Sequence, residues 1–326
     1  MKKKLLSILL AGALALSVTA CSGSDSSTTT SDDAAGTGGT DVAGTEAVHL
    51  TLAHADAADG SLFGECTKEF KAMVEEKSNG SIIVDIYPNG QLGTVSEYVT
   101  GIQNGTIDLA PAVTSFVANF CPNVSVFEMP FLFEDYDHVW EALDGSVGET
   151  LTADLEANNI IPLIWWGIGF RNVTTSENHP INSVEDLKGF RIRIMQSEIQ
   201  QSLFQALGAD AVPMDWGELY TALQQGTVDG QDNGVVLTYT SKLYEVQNYY
   251  SFIGQIYAPN AIVVSEAFWQ SLPEDLQQVV QEGSDYAMEN QRRLNTEMEN
   301  SLLQEMVDNG YLEVNYVEDE ALAEVK

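Results

Sequence analysis

Short runs of alternating hydrophobic and polar residues along the chain are separated by longer stretches with helical spacing. Residues 48–53 and 81–87 alternate as strands do, whereas residues 61–77 place their apolar side chains near helical spacing and stop at Gly80. Helices that alternate with short apolar strands favour largely parallel sheets with crossover connections. The pattern therefore predicts an α/β fold.

A short motif occurs twice. Residues 103–108 read QNGTID and residues 224–229 read QQGTVD. In both, the glycine suits the left-handed position after a helix, and the apolar residue that follows is expected to begin a strand. The match is either chance or a sign of two similarly wound halves. The segment 47–326 exceeds the usual single core, which favours two domains with a ligand cleft at the carboxyl ends of strands.

Apolar residues recur at helical spacing from residue 273 to about residue 308, with Gly283 as the only weak point. A continuous helix of that length would be about 50 Å long and longer than either half. We therefore expect it to cross both halves. Two shorter helices broken at Gly283 are the alternative.

The N-terminus has the pattern of an export signal. Lysines at positions 2–4 precede an apolar stretch at 5–16, and Cys21 follows small residues. This resembles the lipobox of bacterial lipoproteins, in which Cys21 would be the first mature residue and carry lipid. An ordinary signal peptide with a coincidental cysteine is the alternative. The Ser-, Thr-, Gly- and Asp-rich residues 22–46 are expected to form a disordered tether.

The chain is strongly acidic, with 14 Lys+Arg against 48 Asp+Glu and a net charge of −34. Nucleic acid is excluded as a partner, because phosphate binding needs basic clusters. Cys66 and Cys121 form no disulfide framework and are expected to be buried thiols. His54 and its acidic neighbours lack metal-binding spacing, and the sequence has no nucleophile elbow or phosphate loop. We expect no cofactor, no metal and no catalysis.

One arginine is a candidate for anion binding. Strand alternation in residues 190–195 places Arg191 and Arg193 on one face, and Arg193 lies towards the carboxyl end, where a cleft is expected. A guanidinium there could hold a carboxylate through two parallel hydrogen bonds. From these residues alone, an internal salt bridge of Arg193 is an equally good interpretation.

Several motifs, in order, resemble the solute-binding proteins of tripartite ATP-independent periplasmic (TRAP) transporters. The likeness runs from about residue 48 to residue 312. Its motifs are MPFLF at 129–133, GFR at 169–171, PINSVEDLKG at 180–189, RIR at 191–193 and ELYTALQQGTVDGQDN at 218–233, with shorter matches at 87–93, 244–247 and 272–275.

The resemblance implies a two-domain, periplasmic-binding-protein-like clamshell with hinge strands and a long helix spanning both domains. The expected divisions are a signal peptide at 1–20, lipidated Cys21 and a tether at 21–46, domain I at 47–168 plus 259–298, and domain II at 169–258 plus 299–326. Such a protein is extracytoplasmic, and the lipobox-like sequence adds that this one is anchored to the membrane by lipid on Cys21. It captures a small organic acid in the interdomain cleft and delivers it to the integral-membrane TRAP permease.

The resemblance also implies roles for individual residues. The family's carboxylate-binding arginine falls on Arg193, and its other pocket positions fall on Arg171, Asn233, Trp216 and Gln196. Gln255 stands where many relatives carry histidine, so a ligand contact there would be altered. Gly234 replaces a usual proline, which we expect to loosen the following strand. The sequence also ends about 30 residues sooner than in many relatives, so we expect that a last packing element is missing or the sequence truncated.

Two other functions stay open from the sequence. One is a receptor that feeds a sensor kinase rather than a permease, and the other is a secreted enzyme on the same clamshell. The sequence does not choose among sugar acids, four-carbon dicarboxylates, keto acids and aromatic acids.

Overall fold

The computed structural model describes residues 46–176, 179–317 and 323. The predicted signal peptide and Cys21 lie outside the described residues, as does the predicted tether apart from Glu46. The strands among the described residues are β1 (Val48–Ala53), β2 (Ile82–Tyr87), β3 (Leu109–Val113), β4 (Ile160–Thr175), β5 (Arg191–Ile194), β6 (Asp210–Pro213), β7 (Gly230–Asn233), β8 (Tyr249–Ser265) and β9 (Glu313–Tyr316).

Helices connect these strands, and the predicted first helix is confirmed, with Ser61 as its N-cap. The α-helices are α1 (Leu62–Lys77), α2 (Val95–Asn104), α3 (Thr114–Val117), α4 (Tyr136–Leu143), α5 (Ser146–Glu156), α6 (Glu198–Ala206), α7 (Trp216–Gln224), α8 (Val235–Thr240), α9 (Glu266–Ser271) and α10 (Glu274–Asp308), with 3₁₀ segments at Pro122–Glu128, Val184–Leu187 and Leu243–Glu245. None of the helices in the described part of the chain is long and apolar enough to cross a membrane.

The strands form one mixed sheet in the order β2-β1-β3-β8-β4-β7-β5-β6, with β9 on β8. Its outer parts are parallel, because β1 pairs with β2 and β3, and β5 pairs with β6 and β7. The centre is antiparallel, since β8 pairs with β3 and β4, and β4 also pairs with β7. The α/β class is confirmed, but the expectation of a largely parallel sheet holds only for the outer parts and for the pairing of β9 with β8.

The two long central strands join the ends of the sheet. The first half of β4 lies beside the part of β8 that pairs with β3, and its second half pairs with β7. The β4–β8 pairing is irregular between Gly167 and Phe170 and again between Arg171 and Val173. These bulges fall near the predicted boundary at residues 168 and 169. The division into domains I and II stays a prediction.

The repeated motif has the same structure in both places. Gly105 and Gly226 both have a positive φ after their helices, at 72° and 65°. The strands begin only at Leu109 and Gly230, two residues later than expected. The reason is the aspartate of each motif, whose carboxylate accepts a hydrogen bond from the backbone of the neighbouring strand: Asp108 from Thr51 at 2.8 Å and Asp229 from Arg191 at 3.0 Å.

The long helix is continuous over 35 residues. Gly283 does not break it; a Cβ there would lie 2.6 Å from Val74 Cγ2, so the glycine allows α10 to pack closely on α1. Further along, Glu299 accepts a hydrogen bond from Tyr136 at 2.7 Å, and Glu305 accepts one from Tyr239 of α8 at 2.6 Å. The helix therefore contacts both ends of the sheet, as predicted.

Alternate residues of the strands pack into hydrophobic clusters on opposite faces of the sheet. Leu109 belongs to a cluster with Phe70 and Val280 beneath α1 and α10, whereas Ala110 belongs to one with Ile102 of α2. A separate cluster surrounds β5. Cys66 and Cys121 are buried and free, as predicted.

Candidate ligand-binding site

A cavity lies where β1, β3, β5 and β7 end, with walls from both ends of the sheet. Carboxyl ends of strands are where ligands of open α/β sheets bind. Four of the predicted site residues line it, namely Arg171, Arg193, Trp216 and Asn233. Gln196 and Gln255 do not.

Arg171 is held entirely by protein groups. It is completely buried on β4, and its Nε and Nη2 donate to the two carboxylate oxygens of Asp232, each at 2.8 Å. Nη2 also donates to the Asp232 carbonyl, and Nη1 donates to Asn233 Oδ1 at 3.0 Å and contacts Met195 Sδ. A bidentate pair of this kind balances the charge of both partners. Arg171 therefore presents little free hydrogen-bonding capacity to the cavity.

The residues around this ion pair form a buried polar frame. Gln255 donates to Asp232 Oδ2 at 2.9 Å, so it supports the carboxylate and lies behind the cavity wall. Asn233 donates to Gln231 Oε1 at 2.5 Å. Gly234, directly after Asn233, is the N-cap of helix α8. The expectation of a loosened strand after Asn233 is therefore wrong, because a helix follows. A Cβ at Gly234 would lie 2.2 Å from the Ile168 carbonyl oxygen, so the close backbone approach requires glycine.

Arg193 differs from Arg171 in having no carboxylate partner. It lies on β5 and is 2% exposed; among the described residues it donates only to the Met214 carbonyl, from Nε at 3.0 Å and Nη2 at 2.8 Å. Within the described residues no carboxylate oxygen lies within ion-pair distance of it; Asp215 and Asp232 act on it only from further away. Of its five N–H donors, three are without an acceptor in the described part of the chain.

The electrostatic environment of Arg193 reflects this isolation. Burial, together with the like charge of Arg171, lowers the pKa of Arg193 to about 10. Its guanidinium carbon lies 5.9 Å from the ring centroid of the half-buried Trp216, which offers a weak cation–π contact. A buried, incompletely paired cation facing a cavity is suited to receive an anion.

Sequence reasoning missed several polar residues of the cavity, among them Asp56, Tyr98 and Asn260. Asp56 follows β1, is partly exposed, and desolvation raises the pKa of its carboxyl to about 7. Asn260 is buried on β8, and its Nδ2 has no hydrogen-bond partner in the part of the chain that the structure describes. The signals available were an acidic residue directly after a strand and a lone amide within an apolar strand.

Gln196 lies at a different place from the other predicted site residues. It lines a separate cavity with Glu128 and Ser197. Glu128 accepts a hydrogen bond from Ser197, and burial raises the pKa of the Glu128 carboxyl to about 7. The structure therefore does not bring Gln196 to the cavity of Arg193.

Comparison with known proteins identifies the class of this fold and site. The family described as bacterial extracellular solute-binding protein, family 7 (DctP), matches residues 52–326. The chain is 32% identical over 247 residues to the C4-dicarboxylate-binding periplasmic protein DctP of Rhodobacter capsulatus, covering 74% of this chain and 73% of that protein. The chain therefore belongs to this family of solute-binding proteins.

Solved structures agree with the assignment and specify it. The sugar acid binding protein DctPAm of Advenella mimigardefordensis, in complex with galactonate, superimposes with a TM-score of 0.83 at 29% identity, covering 86% of this chain and 89% of that one. A TRAP periplasmic solute-binding protein of Sulfurospirillum deleyianum with bound succinate has a TM-score of 0.81 at 28% identity, covering 86% and 91%. The two-domain clamshell and the function of an extracytoplasmic solute-binding receptor of a TRAP-type transporter are thereby confirmed.

Proposed function

We propose that this receptor binds a small organic acid in the cavity between the two ends of the sheet, with the carboxylate on Arg193. The observation that carries the proposal is the buried Arg193 guanidinium, which has free N–H donors and no ion-pair partner among the described residues. An incoming carboxylate would supply two parallel charge-assisted hydrogen bonds. The neighbouring Arg171 serves a different purpose, because its charge is already balanced by Asp232.

Calorimetry against an organic-acid panel tests this role. Arg193→Ala should cost at least about 2 kcal/mol of ligand affinity, or roughly 30-fold, because it removes one partner of a desolvated charged pair. Arg193→Lys should also bind poorly, since an ammonium lacks the planar fork. Arg191→Ala is the matched control, because Arg191 is exposed on the same strand and paired with Asp229. Unchanged affinity in Arg193→Ala would refute the proposal.

The proposed binding step includes closure of the two domains. Asp56 and Val95 approach the cavity from one end of the sheet, whereas Arg193 and Trp216 approach it from the other. Only a closed state contacts ligand from both sides, so ligand should shift the population towards it. The ligand then passes unchanged to the integral-membrane TRAP permease. Recovery of intact ligand by NMR after prolonged incubation tests the absence of turnover, which the proposal requires.

The proposed location is the outer face of a membrane, through lipid on Cys21. The support is the lipobox-like sequence that ends at Cys21 and the polar segment that follows it. Stable anchoring needs two or more acyl chains, which lipoprotein modification supplies. Wild-type protein should fractionate with membranes, and Cys21→Ser should release it or block its processing. Equal solubility of the two proteins would exclude the anchor.

A further inference from the structure

We infer that the ligand is a monocarboxylate with an apolar body, branched or aromatic, rather than a dicarboxylate or a polyhydroxylated sugar acid. The inference rests on the proposed function, in which Arg193 holds the carboxylate. It concerns the other end of the ligand, which must match the remaining cavity wall.

The charges in the cavity admit one carboxylate. Arg193 is the cation available to a ligand, because Arg171 already forms a bidentate pair with Asp232. Among the described lining residues, a second carboxylate would find no further cation that lacks a carboxylate partner, and it would share the space with the carboxyl of Asp56. Like charges in a desolvated site repel each other, so a dicarboxylate is disfavoured.

The free hydrogen-bonding groups of the cavity are too few for a sugar acid. Beyond Arg193, the described lining residues offer five polar groups: Nδ2 of Asn260, the Asp56 carboxyl, one remaining N–H of Asn233, the Tyr98 hydroxyl and Nε1 of Trp216. Each ligand hydroxyl buried without a partner costs roughly tenfold in affinity. One or two polar substituents can be accommodated, but the full row of hydroxyls of a sugar acid would leave some without a partner.

Most of the remaining wall is apolar. Six largely apolar side chains come from six different elements, α2, β3, α3, β4, α7 and α8: Val95, Val113, Phe116, Ile168, Trp216 and Leu237. Because these elements lie at both ends of the sheet, a ligand body between them loses much of its contact with water. Such burial favours hydrocarbon groups.

A binding screen with isocaproate, phenylacetate, succinate, galactonate and leucine tests the inference on the wild-type protein and on Arg193→Ala. Isocaproate or phenylacetate should bind at least roughly tenfold more tightly than the other three, and Arg193→Ala should lose this binding. Tighter binding of succinate, galactonate or leucine that depends on Arg193 would overturn the inference and leave the proposed function standing. Binding of none of the acids, or binding that survives Arg193→Ala, would overturn both.

A second variant tests the apolar wall itself. Val113→Thr keeps the side-chain shape but places a hydroxyl in the cavity, and Val126→Thr is the matched control because Val126 is 42% exposed and lies outside the lining. Val113→Thr should weaken binding of the preferred apolar acid roughly threefold or more, and Val126→Thr should not. Equal affinities in both variants would show that the wall does not select the ligand.

Discussion

Replacing Arg193 with methionine should stabilise the ligand-free protein while it abolishes ligand binding. Arg193 is 2% exposed and has no ion-pair partner within the described residues, so folding takes its charge out of water without full compensation. Methionine keeps the length and apolar stem of the side chain and removes the charge. The site would thus be a place where the fold gives up stability for function.

The magnitude follows from the lowered pKa of Arg193. Its fall to about 10 corresponds to roughly 3 kcal/mol of unfavourable free energy for the charged form in the folded state. Below pH 10, Arg193 is charged in both the folded and the unfolded protein. The free-energy cost of burying its charge is therefore fully present at neutral pH and is relieved only as the pH rises above 10. The Met214 carbonyl would lose its two donors, at a cost of about 1–2 kcal/mol. The net stabilisation should be about 1–2 kcal/mol.

Urea unfolding with and without ligand measures both effects. Without ligand, Arg193→Met should unfold at a higher urea concentration than wild type. Ligand at 100 times its dissociation constant should raise the free energy of unfolding of wild type by about 2.7 kcal/mol, but it should not stabilise Arg193→Met. Arg171→Met is the contrasting variant, because it leaves Asp232 buried without its partner and should cost about 3–5 kcal/mol. An Arg193→Met protein less stable than wild type would refute the reasoning, since the guanidinium would then hold the fold together.

Three further predictions concern the cavity. Trp216→Ala should cost about 1–3 kcal/mol of binding free energy. Ligand should change the tryptophan fluorescence of the wild-type protein and reduce its radius of gyration. An unchanged radius, together with an intact fluorescence response in Trp216→Phe, would contradict closure over Trp216. Because a bound anion favours the protonated form of Asp56, whose pKa is about 7, affinity should fall as pH rises through 7. Asp56→Asn should remove this decline in affinity. Glu128→Gln should not remove it, although the Glu128 carboxyl has a similar pKa; the reverse result would assign the pH dependence to Glu128. Gly234→Ala should lower the free energy of unfolding by about 1–3 kcal/mol, because the added Cβ would meet the Ile168 carbonyl. Gly217→Ala is the control and should not lower it, because Gly217 has open space around it. Equal stabilities of the two variants would show that the backbone at Gly234 shifts to accept the Cβ.

Local patterns in the sequence were sufficient to predict individual helices and strands, because hydrophobic periodicity and helix caps act over only a few residues. The strand of Val48–Ala53 and the helix Leu62–Lys77 appear where they were expected. The antiparallel centre of the sheet was not predicted, because the β4–β8 pairing joins residues far apart in sequence and nothing in either strand specifies its partner's direction. Similarly, Gly283 looked like a helix breaker because its close contact with Val74 is tertiary.

The candidate site was predictable only in part, for the same reason. Family motifs placed Arg171 and Arg193 together, but the sequence does not distinguish a paired guanidinium from a free one. That difference arises because Asp232 lies on β7, next to Arg171 on the paired strand β4, whereas Arg193 meets only the Met214 carbonyl among the described residues. Asp56 was overlooked because its raised pKa depends on desolvation by the surrounding fold.

The structure of the protein in complex with its best ligand from the organic-acid screen tests the central claim most directly. We expect the ligand carboxylate within about 2.7–2.9 Å of the Arg193 guanidinium nitrogens, with the Arg171–Asp232 pair intact and the ligand body against Val113 and Leu237. A carboxylate bound elsewhere, with Arg193 still donating only to Met214, would contradict the account.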